Sequence, residues 1–364
     1  MPTMKATGKL HGLGQSLWLD NITRDLLDDG TLARYVAELS VTGLTSNPTI
    51  FEHAMRGGSA YDEAIRSRVG AGKSGEALFF DLAVEDITRA ADLFGPVFRR
   101  TRGVDGWVSL EVSPLLAHDT EATLAVAREL HARVARENLF IKIPGTKEGL
   151  PAIEEAILAG VPINVTLLFS REQYLAAADA WLRGVERRMA AGLTADVASV
   201  ASLFISRWDV AVAGKVPLAL ANRLGIAMGR RCFKAYGDFL ASPRLRRAMN
   251  AGARPQRLLF ASTGTKDPAA SDVLYVESLA APFTINTMPE ATLLALAKRD
   301  DSGPAIPVDG GDSEAVLAQF TQAGVDLEAL ASRLQEEGAA SFAKSWHALM
   351  TLLATKAATL GKQA

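Results

Sequence analysis

The sequence has almost no cysteine and no long apolar run. Cys232 is its one cysteine among 364 residues, which excludes an intramolecular disulfide framework and favours a reducing, cytoplasmic setting. No stretch reaches the roughly 20 apolar residues that a membrane-spanning helix needs, and the amino terminus lacks the apolar core of a signal peptide. These absences predict a soluble protein with no membrane partner.

Charge of one sign does not predominate either. The chain has 39 Lys and Arg against 41 Asp and Glu, a net charge of -2, and its basic residues are scattered, with short clusters such as Arg187-Arg188. A nucleic-acid-binding surface needs a basic stripe that can neutralise successive phosphates, so no nucleic-acid partner is predicted. With 48% apolar and 22% charged residues, the composition is that of an ordinary globular protein.

The usual signatures of metal and nucleotide sites are also missing. The five histidines show no metal-ligand spacing, and a lone cysteine cannot complete a zinc site. No strand-like segment is followed by G-x-G-x-x-G or by G-x-x-x-x-G-K-[ST], the loops that hold dinucleotides and nucleoside phosphates. The sequence therefore predicts neither a metal nor an organic cofactor.

Eight short runs rich in Val, Ile, Leu and Phe alternate with segments of helical periodicity, which is the pattern of repeated βα units. We predict a single (β/α)8 barrel over residues 16–364, after an N-terminal tail at 1–15. An open doubly wound sheet is the alternative, but it usually carries one of the glycine-rich loops. After a Gly-, Pro- and Asp-rich loop at 300–312, extra C-terminal helices are expected to pack over the barrel. The eight runs lie at 16–22, 41–47, 106–114, 138–145, 162–170, 196–206, 257–264 and 282–289.

The fourth run, NLFIKIPG, places a lysine where a barrel interior is usually apolar. Strand alternation directs Ile141 and Ile143 toward the helices and Lys142 into the barrel. A strand lysine more often lies at an edge and reaches solvent, but none of the other eleven lysines lies so clearly inside a strand. Burial disfavours an ammonium group, so this residue type at this position predicts a nucleophilic amine that forms a Schiff base with a ketone.

The same alternation brings further polar side chains to the interior face. In the third run, it directs Ser109, Glu111 and Ser113 inward, and in the first run Asp20. In the fifth run Asn164 and Thr166 share that face. Either of the last two alone would be interpreted as a structural hydrogen-bonding residue.

Two carboxylates near an iminium can divide the proton transfers of carbon–carbon bond cleavage. The iminium is itself the electron sink, so this chemistry needs no metal. The combination of Lys142, Glu111 and Asp20 therefore predicts Schiff-base cleavage of a ketose.

The sixth and seventh runs end in residues suited to a phosphate. Ser202 and Phe204 share the interior face, and Arg207 follows them. The turn after the seventh run, ASTGTKD, supplies Ser262 and Lys266. Arg207 alone would be interpreted as a surface residue, but together with this turn it predicts a phosphate pocket at the barrel mouth.

These segments resemble the transaldolase family, in its longer bacterial branch. The matching segments are WLDNI, GLTSNPTIF, SLEVSP, LFIKIPGTKEGL, INVTLLFS, SLFISRWD, FASTGTK, SDVLYVESL and TINTMPE, in that order through most of the chain. The resemblance implies a barrel circularly permuted relative to other Schiff-base aldolases. It also implies transfer of a dihydroxyacetone unit in the pentose phosphate pathway, from sedoheptulose 7-phosphate or fructose 6-phosphate to glyceraldehyde 3-phosphate or erythrose 4-phosphate.

The resemblance also assigns roles to residues. It implies Lys142 as the Schiff-base lysine, Asp20 as the group assisting cleavage, Glu111 and Thr166 as holders of the catalytic water, Asn47 and Asn164 as ligands of the dihydroxyacetone hydroxyls, Ser202 and Phe204 as lining residues, and Arg207, Ser262 and Lys266 as the phosphate site. One departure from the family pattern concerns Lys266. The commoner short form has Ser-x-Arg in this turn, where this chain has Ser-Thr-Gly-Thr-Lys.

Two alternatives remain at this point. A simple aldolase of the same superfamily would release the three-carbon unit instead of passing it to a second aldehyde; Glu111 and the helical additions argue against it. A catalytically silent sugar-phosphate-binding module is disfavoured by the intact set of Lys142, Glu111 and Asp20. A monomer and a homodimer are both compatible with the sequence.

Overall fold

The computed structural model describes residues 4–361, in which strands and helices alternate along the chain. The strands are β1 (Ser16–Asp20), β2 (Val41–Thr45), β3 (Trp107–Glu111), β4 (Leu139–Pro144), β5 (Ile163–Leu168), β6 (Ser199–Phe204), β7 (Arg257–Ala261) and β8 (Ile285–Met288). The helices are α1 (Ala6–Leu13), α2 (Arg24–Asp28), α3 (Thr31–Glu38), α4 (Pro48–Arg56), α5 (Asp62–Gly70), α6 (Gly75–Arg100), α7 (Thr120–Val134), α8 (Gly149–Leu158), α9 (Arg171–Ala190), α10 (Ser206–Val212), α11 (Leu224–Ala241), α12 (Pro243–Asn250), α13 (Leu274–Ser278), α14 (Glu290–Ala297), α15 (Ser313–Gln322) and α16 (Leu327–Leu360). Short 3₁₀ turns lie at Pro114–Leu116 and Leu218–Leu220.

The strands form a closed barrel in chain order. Each strand pairs in parallel with the next, and β8 pairs with β1. Each of the eight apolar runs contains one of these strands, so the predicted (β/α)8 barrel is confirmed. Because every strand has two neighbours, the barrel has no exposed edge.

The register of the barrel aligns polar residues of adjacent strands. Lys142 on β4 lies opposite Glu111 on β3 and Asn164 on β5. Asp20 on β1 lies opposite Thr45 on β2. Residues paired across parallel strands point to the same face of a sheet, so these side chains share the barrel interior.

Aromatic side chains fill the amino-terminal part of the barrel. The rings of Trp107 and Phe140 stack with centroids 4.1 Å apart, and Trp18 lies 6.2 Å from Phe140. Gly43 on β2 makes room for this cluster, because a Cβ at that position would lie 2.7 Å from the Trp107 carbonyl oxygen and from the Trp18 ring. The apolar packing leaves the carboxyl-terminal end of the barrel for polar residues.

Both ends of the chain add helices to the barrel. Within the segment predicted as an N-terminal tail, α1 packs on β1 and α14 and buries Ala6 and Leu10 completely. At the other end, α16 packs along α4, α5 and α6 and reaches β5. The predicted C-terminal helices over the barrel are therefore present. Between residues 4 and 361 no helix has the length and apolar character needed to cross a bilayer.

Candidate active site

A polar cavity of about 120 Å³ opens at the carboxyl-terminal end of the barrel. Nine of the eleven predicted site residues line it: Asp20, Asn47, Lys142, Thr166, Ser202, Phe204, Arg207, Ser262 and Lys266. The other two, Glu111 and Asn164, are buried and contact lining residues. The structure thus brings all of the predicted residues together at one end of the barrel.

Lys142 lies near the centre of this arrangement and is only 4% exposed. Its Nζ donates a hydrogen bond to the Ser46 carbonyl oxygen at 3.2 Å and lies 3.3 Å from Oε2 of Glu111. The contact with Glu111 is an ion-pair distance without the alignment of a hydrogen bond. A buried amine beside a buried carboxylate, which can accept a proton, suits a nucleophile that attacks a carbonyl.

Glu111 is the more strongly perturbed member of this pair. Burial raises the pKa of its carboxyl above the ordinary value, against the lowering effect of Lys142, while the negative charge of Asp20 adds to the increase. Neither carboxylate oxygen accepts an aligned hydrogen bond from the described part of the chain, and the hydroxyl of Thr166 also has no such partner. Buried polar groups of this kind are commonly satisfied by water, so both residues suit contact with a water molecule or a substrate.

Asp20 belongs to a separate hydrogen-bonded group. Its Oδ1 accepts a hydrogen bond of 2.7 Å from the Thr45 hydroxyl, which lies 2.9 Å from the hydroxyl of Thr287. Asp20 is half-buried, whereas Glu111 is fully buried. The two carboxylates therefore occupy different surroundings, which is how one site obtains an acid and a base from the same residue type.

The two asparagines differ in their accessibility. Asn164 is completely buried, donates to Ser109 Oγ at 3.1 Å and accepts from Ser202 Oγ at 2.7 Å. Asn47 is half-buried, and its Oδ1 accepts from the Ile50 amide at the start of α4. This cap fixes the Asn47 side chain at the cavity wall and leaves its amide nitrogen available as a donor.

The positively charged end of the cavity is formed by Arg207, Ser262 and Lys266. The guanidinium carbon of Arg207 lies 5.1 Å from the ring centroid of Phe204. Burial lowers the pKa of Arg207, opposed by the negative charges of Glu111 and Glu337. Those two carboxylates instead lie within ion-pair distance of other cations, so the guanidinium keeps its donors for a ligand.

Ser262 and Lys266 occupy the turn after β7. Ser262 has a φ of 55° and its hydroxyl lies 2.9 Å from that of Ser206, while Lys266 is exposed at the rim. A left-handed φ at a residue other than glycine is a strained conformation that often occurs at binding sites. The arrangement of a guanidinium, an ammonium and a hydroxyl suits a phosphate dianion.

Sequence reasoning missed some lining residues and misplaced one. Thr45, Thr287 and Phe342 also line the cavity. The alternation rule applied to β2 and β8 could have found the two threonines, but no sequence pattern shows that α16 places Phe342 over the barrel mouth. The expectation for Ser113 was wrong: β3 ends at Glu111, and the Ser113 hydroxyl donates to Glu76 of α6.

Comparison with known proteins identifies the family. A family model described as Transaldolase/Fructose-6-phosphate aldolase matches residues 17–353. The chain belongs to this family. It is 45% identical to the transaldolase of Parafrankia sp. (strain EAN1pec), over 95% of this chain and 96% of that protein. It is 44% identical to the transaldolase of Thermobifida fusca (strain YX), over 96% and 98% of the two chains, and 43% identical to that of Thiobacillus denitrificans (strain ATCC 25259 / T1), over 95% and 99%. The membership predicted from the motifs is confirmed.

Proposed function

We propose that this member of the family is a transaldolase that carries a dihydroxyacetone unit as a Schiff base on Lys142. The donor is sedoheptulose 7-phosphate or fructose 6-phosphate, and the acceptor is glyceraldehyde 3-phosphate or erythrose 4-phosphate. The observation that carries the proposal is the buried amine of Lys142, 3.3 Å from the buried carboxylate of Glu111, at the carboxyl end of the barrel. We place the reaction in the pentose phosphate pathway and the protein in the cytoplasm.

The reaction begins with attack of the Lys142 amine on the ketone carbonyl of the donor. Loss of water from the resulting carbinolamine gives an iminium ion. Asp20 removes the proton from the hydroxyl adjacent to the breaking bond, the carbon–carbon bond cleaves, and the aldehyde product leaves. The bonding electrons pass into the iminium to give an enamine, which the second aldehyde captures in the reverse sequence.

Glu111 and Thr166 serve the steps in which water leaves and enters. Formation of the iminium expels one water molecule, and release of the product consumes one. Both residues have buried oxygens without an aligned partner in the described chain, and a water held between them could exchange protons with the reacting atoms. Burial raises the pKa of Glu111, which makes it a stronger base than an ordinary glutamate once it is ionised.

The remaining residues bind the substrate. Asn47, Ser202 and Phe204 line the cavity, and the family resemblance assigns Asn47 and Asn164 to the hydroxyls of the three-carbon unit. Arg207, Ser262 and Lys266 are assigned to the phosphate. Lys266 carries the same positive charge as the arginine of the family's short form, but its ammonium lacks the bidentate geometry of a guanidinium.

An aldolase is the second candidate, because the description of the family includes fructose-6-phosphate aldolase. It would release free dihydroxyacetone instead of transferring it. Phe342 covers Lys142, with its ring centroid 5.9 Å from Nζ, and this cover favours retention of the enamine over its hydrolysis. The names of the similar proteins also favour the transferase.

The test is an assay with fructose 6-phosphate as donor, with and without erythrose 4-phosphate. We expect sedoheptulose 7-phosphate to form with the acceptor and little free dihydroxyacetone to form without it. Lys142→Ala should abolish turnover, whereas Lys147→Ala, which changes an exposed lysine in the following loop, should retain it. Equal release of dihydroxyacetone in both conditions would assign the protein as an aldolase, and turnover by Lys142→Ala would exclude the proposed nucleophile.

A further inference from the structure

One face of α16 packs on the carboxyl-terminal end of the barrel beside the candidate site. Gln335, Gly338 and Phe342 are spaced by three and four residues, so they lie along one side of the helix. Of these only Phe342 lines the cavity.

Gln335 forms hydrogen bonds near the carboxyl-terminal ends of two strands. Its Nε2 donates hydrogen bonds to the carbonyl oxygens of Gly145, at 3.0 Å, and Leu167, at 2.9 Å. Gly145 follows β4, which carries Lys142, and Leu167 follows Thr166 on β5. Leu167 has a φ of 57° and lies within an irregularity of the pairing between β5 and β6. The amide of Gln335 therefore satisfies a carbonyl at a strained position beside the site.

Gly338 leaves space for two side chains that approach α16 closely, and its backbone conformation is one that any residue can adopt. A Cβ at this position would lie 2.9 Å from Cδ2 of Leu167 and 3.1 Å from Nη1 of Arg207. Its φ is not in the left-handed region, and glycine inside a helix is less favourable than alanine. The glycine weakens the helix, but it allows Arg207 to approach α16 closely.

Phe342 completes the contact with Arg207. Its ring centroid lies 5.6 Å from the guanidinium carbon, and the ring of Phe204 lies at 5.1 Å. Cation–π contacts of this kind orient a guanidinium without using its hydrogen-bond donors. The direction of Arg207 is therefore set by aromatic rings and by α16, and its donors remain available.

We propose that Gln335, Gly338 and Phe342 are positioning residues, through which α16 holds Arg207 in the geometry that selects phosphorylated substrates and aligns the strands that carry Lys142 and Thr166. The proposal rests on the proposed transaldolase function. Gly338 and Phe342 position Arg207 and thereby affect phosphate recognition. Gln335 positions the two strand ends and thereby affects the chemistry at Lys142.

Gly338→Ala tests the first part, with Gly237→Ala as the matched control. Gly237 lies in α11, and a Cβ there would meet nothing within 4 Å. We measure kcat/KM for glyceraldehyde 3-phosphate and for unphosphorylated glyceraldehyde as acceptors, with the same donor. Displacement of Arg207 should lower the preference for the phosphorylated acceptor by about tenfold, because the guanidinium would lose charge-assisted hydrogen bonds to the phosphate. Gly237→Ala should leave the preference unchanged.

Gln335→Ala tests the second part, with Gln319→Ala on the exposed side of α15 as its control. Loss of the two hydrogen bonds should slow borohydride trapping of the donor and lower kcat with both acceptors to a similar extent, without changing the preference between them. A purely structural role would lower stability and leave both kinetic readouts of the folded protein intact.

The outcomes separate this proposal from the function on which it rests. If the unaltered protein transfers no three-carbon unit, the proposed function fails. If it does, and Gly338→Ala retains the acceptor preference, the role of α16 in positioning Arg207 is excluded. Unchanged trapping and kcat in Gln335→Ala would exclude the role of Gln335 in the same way.

Discussion

Glu111→Gln isolates the contribution of the buried carboxylate. The substitution preserves the size of the side chain and removes its charge and its ability to accept a proton. In the structure this carboxylate is 5% exposed and lies 3.3 Å from the Lys142 amine. The backbone of β3 and the aromatic packing below it do not depend on the charge, so we expect the variant to fold.

The expected loss follows from the role of a general base. A positioned base contributes about 10²–10⁴-fold to a proton-transfer step, which corresponds to roughly 3–5 kcal/mol of transition-state stabilisation. We therefore expect kcat to fall by about 10²-fold or more in Glu111→Gln. The KM of the donor should change much less, because the group acts on the reacting atoms.

The pH dependence gives a second readout with a defined sign. Burial raises the pKa of Glu111, so its basic form is lost as the pH falls through a value above the ordinary 4.5 of a glutamic acid. The kcat/KM of the unaltered protein should decline on that acidic limb, and Glu111→Gln should lack the limb.

The assay is the coupled transfer rate across the acidic and neutral range. Glu52→Gln, which changes a buried carboxylate of α4 that pairs with Arg56, serves as the control and should keep both kcat and the limb. A Glu111→Gln protein with an unchanged kcat and pH profile would refute the assignment of Glu111.

Two further predictions address the phosphate pocket and the barrel core. Arg207→Ala should raise the KM for phosphorylated substrates by about 10–100-fold through loss of charge-assisted hydrogen bonds, with a smaller effect on unphosphorylated ones; steady-state kinetics would show equal losses on both if the phosphate assignment were wrong. Gly43→Ala should lower the free energy of unfolding by about 1–3 kcal/mol through overpacking against Trp18 and Trp107, as measured by urea denaturation. Gly58→Ala should have little effect, because a Cβ at that position would meet nothing within 4 Å. Similar midpoints for the two variants would contradict the packing argument.

The sequence was most informative where structure is local and periodic. Strand alternation placed Lys142, Glu111 and Asn164 on one face, because successive side chains along a strand point to opposite faces of the sheet. The same rule failed at Ser113, since it assumes a strand that continues, and β3 ends at Glu111. The run at 196–206 was also longer than β6, which begins at Ser199.

The contributions of α16 could not be predicted in this way. Helical periodicity shows which side of a helix is apolar, but it does not show which other elements that side contacts. From the sequence alone, Phe342 would be interpreted as one more apolar residue of a packed helix, and Gln335 as a surface amide. Their roles depend on where the helix crosses the barrel, which is a property of tertiary packing. The unusual backbone at Leu167 likewise has no marker in the sequence.

The most direct test of the account is the mass of the protein after borohydride reduction in the presence of fructose 6-phosphate. We expect a single added dihydroxyacetone unit, located by peptide mapping on Lys142 and missing from Lys142→Ala. An unmodified protein, or an adduct on any other amine, would contradict the Schiff-base mechanism.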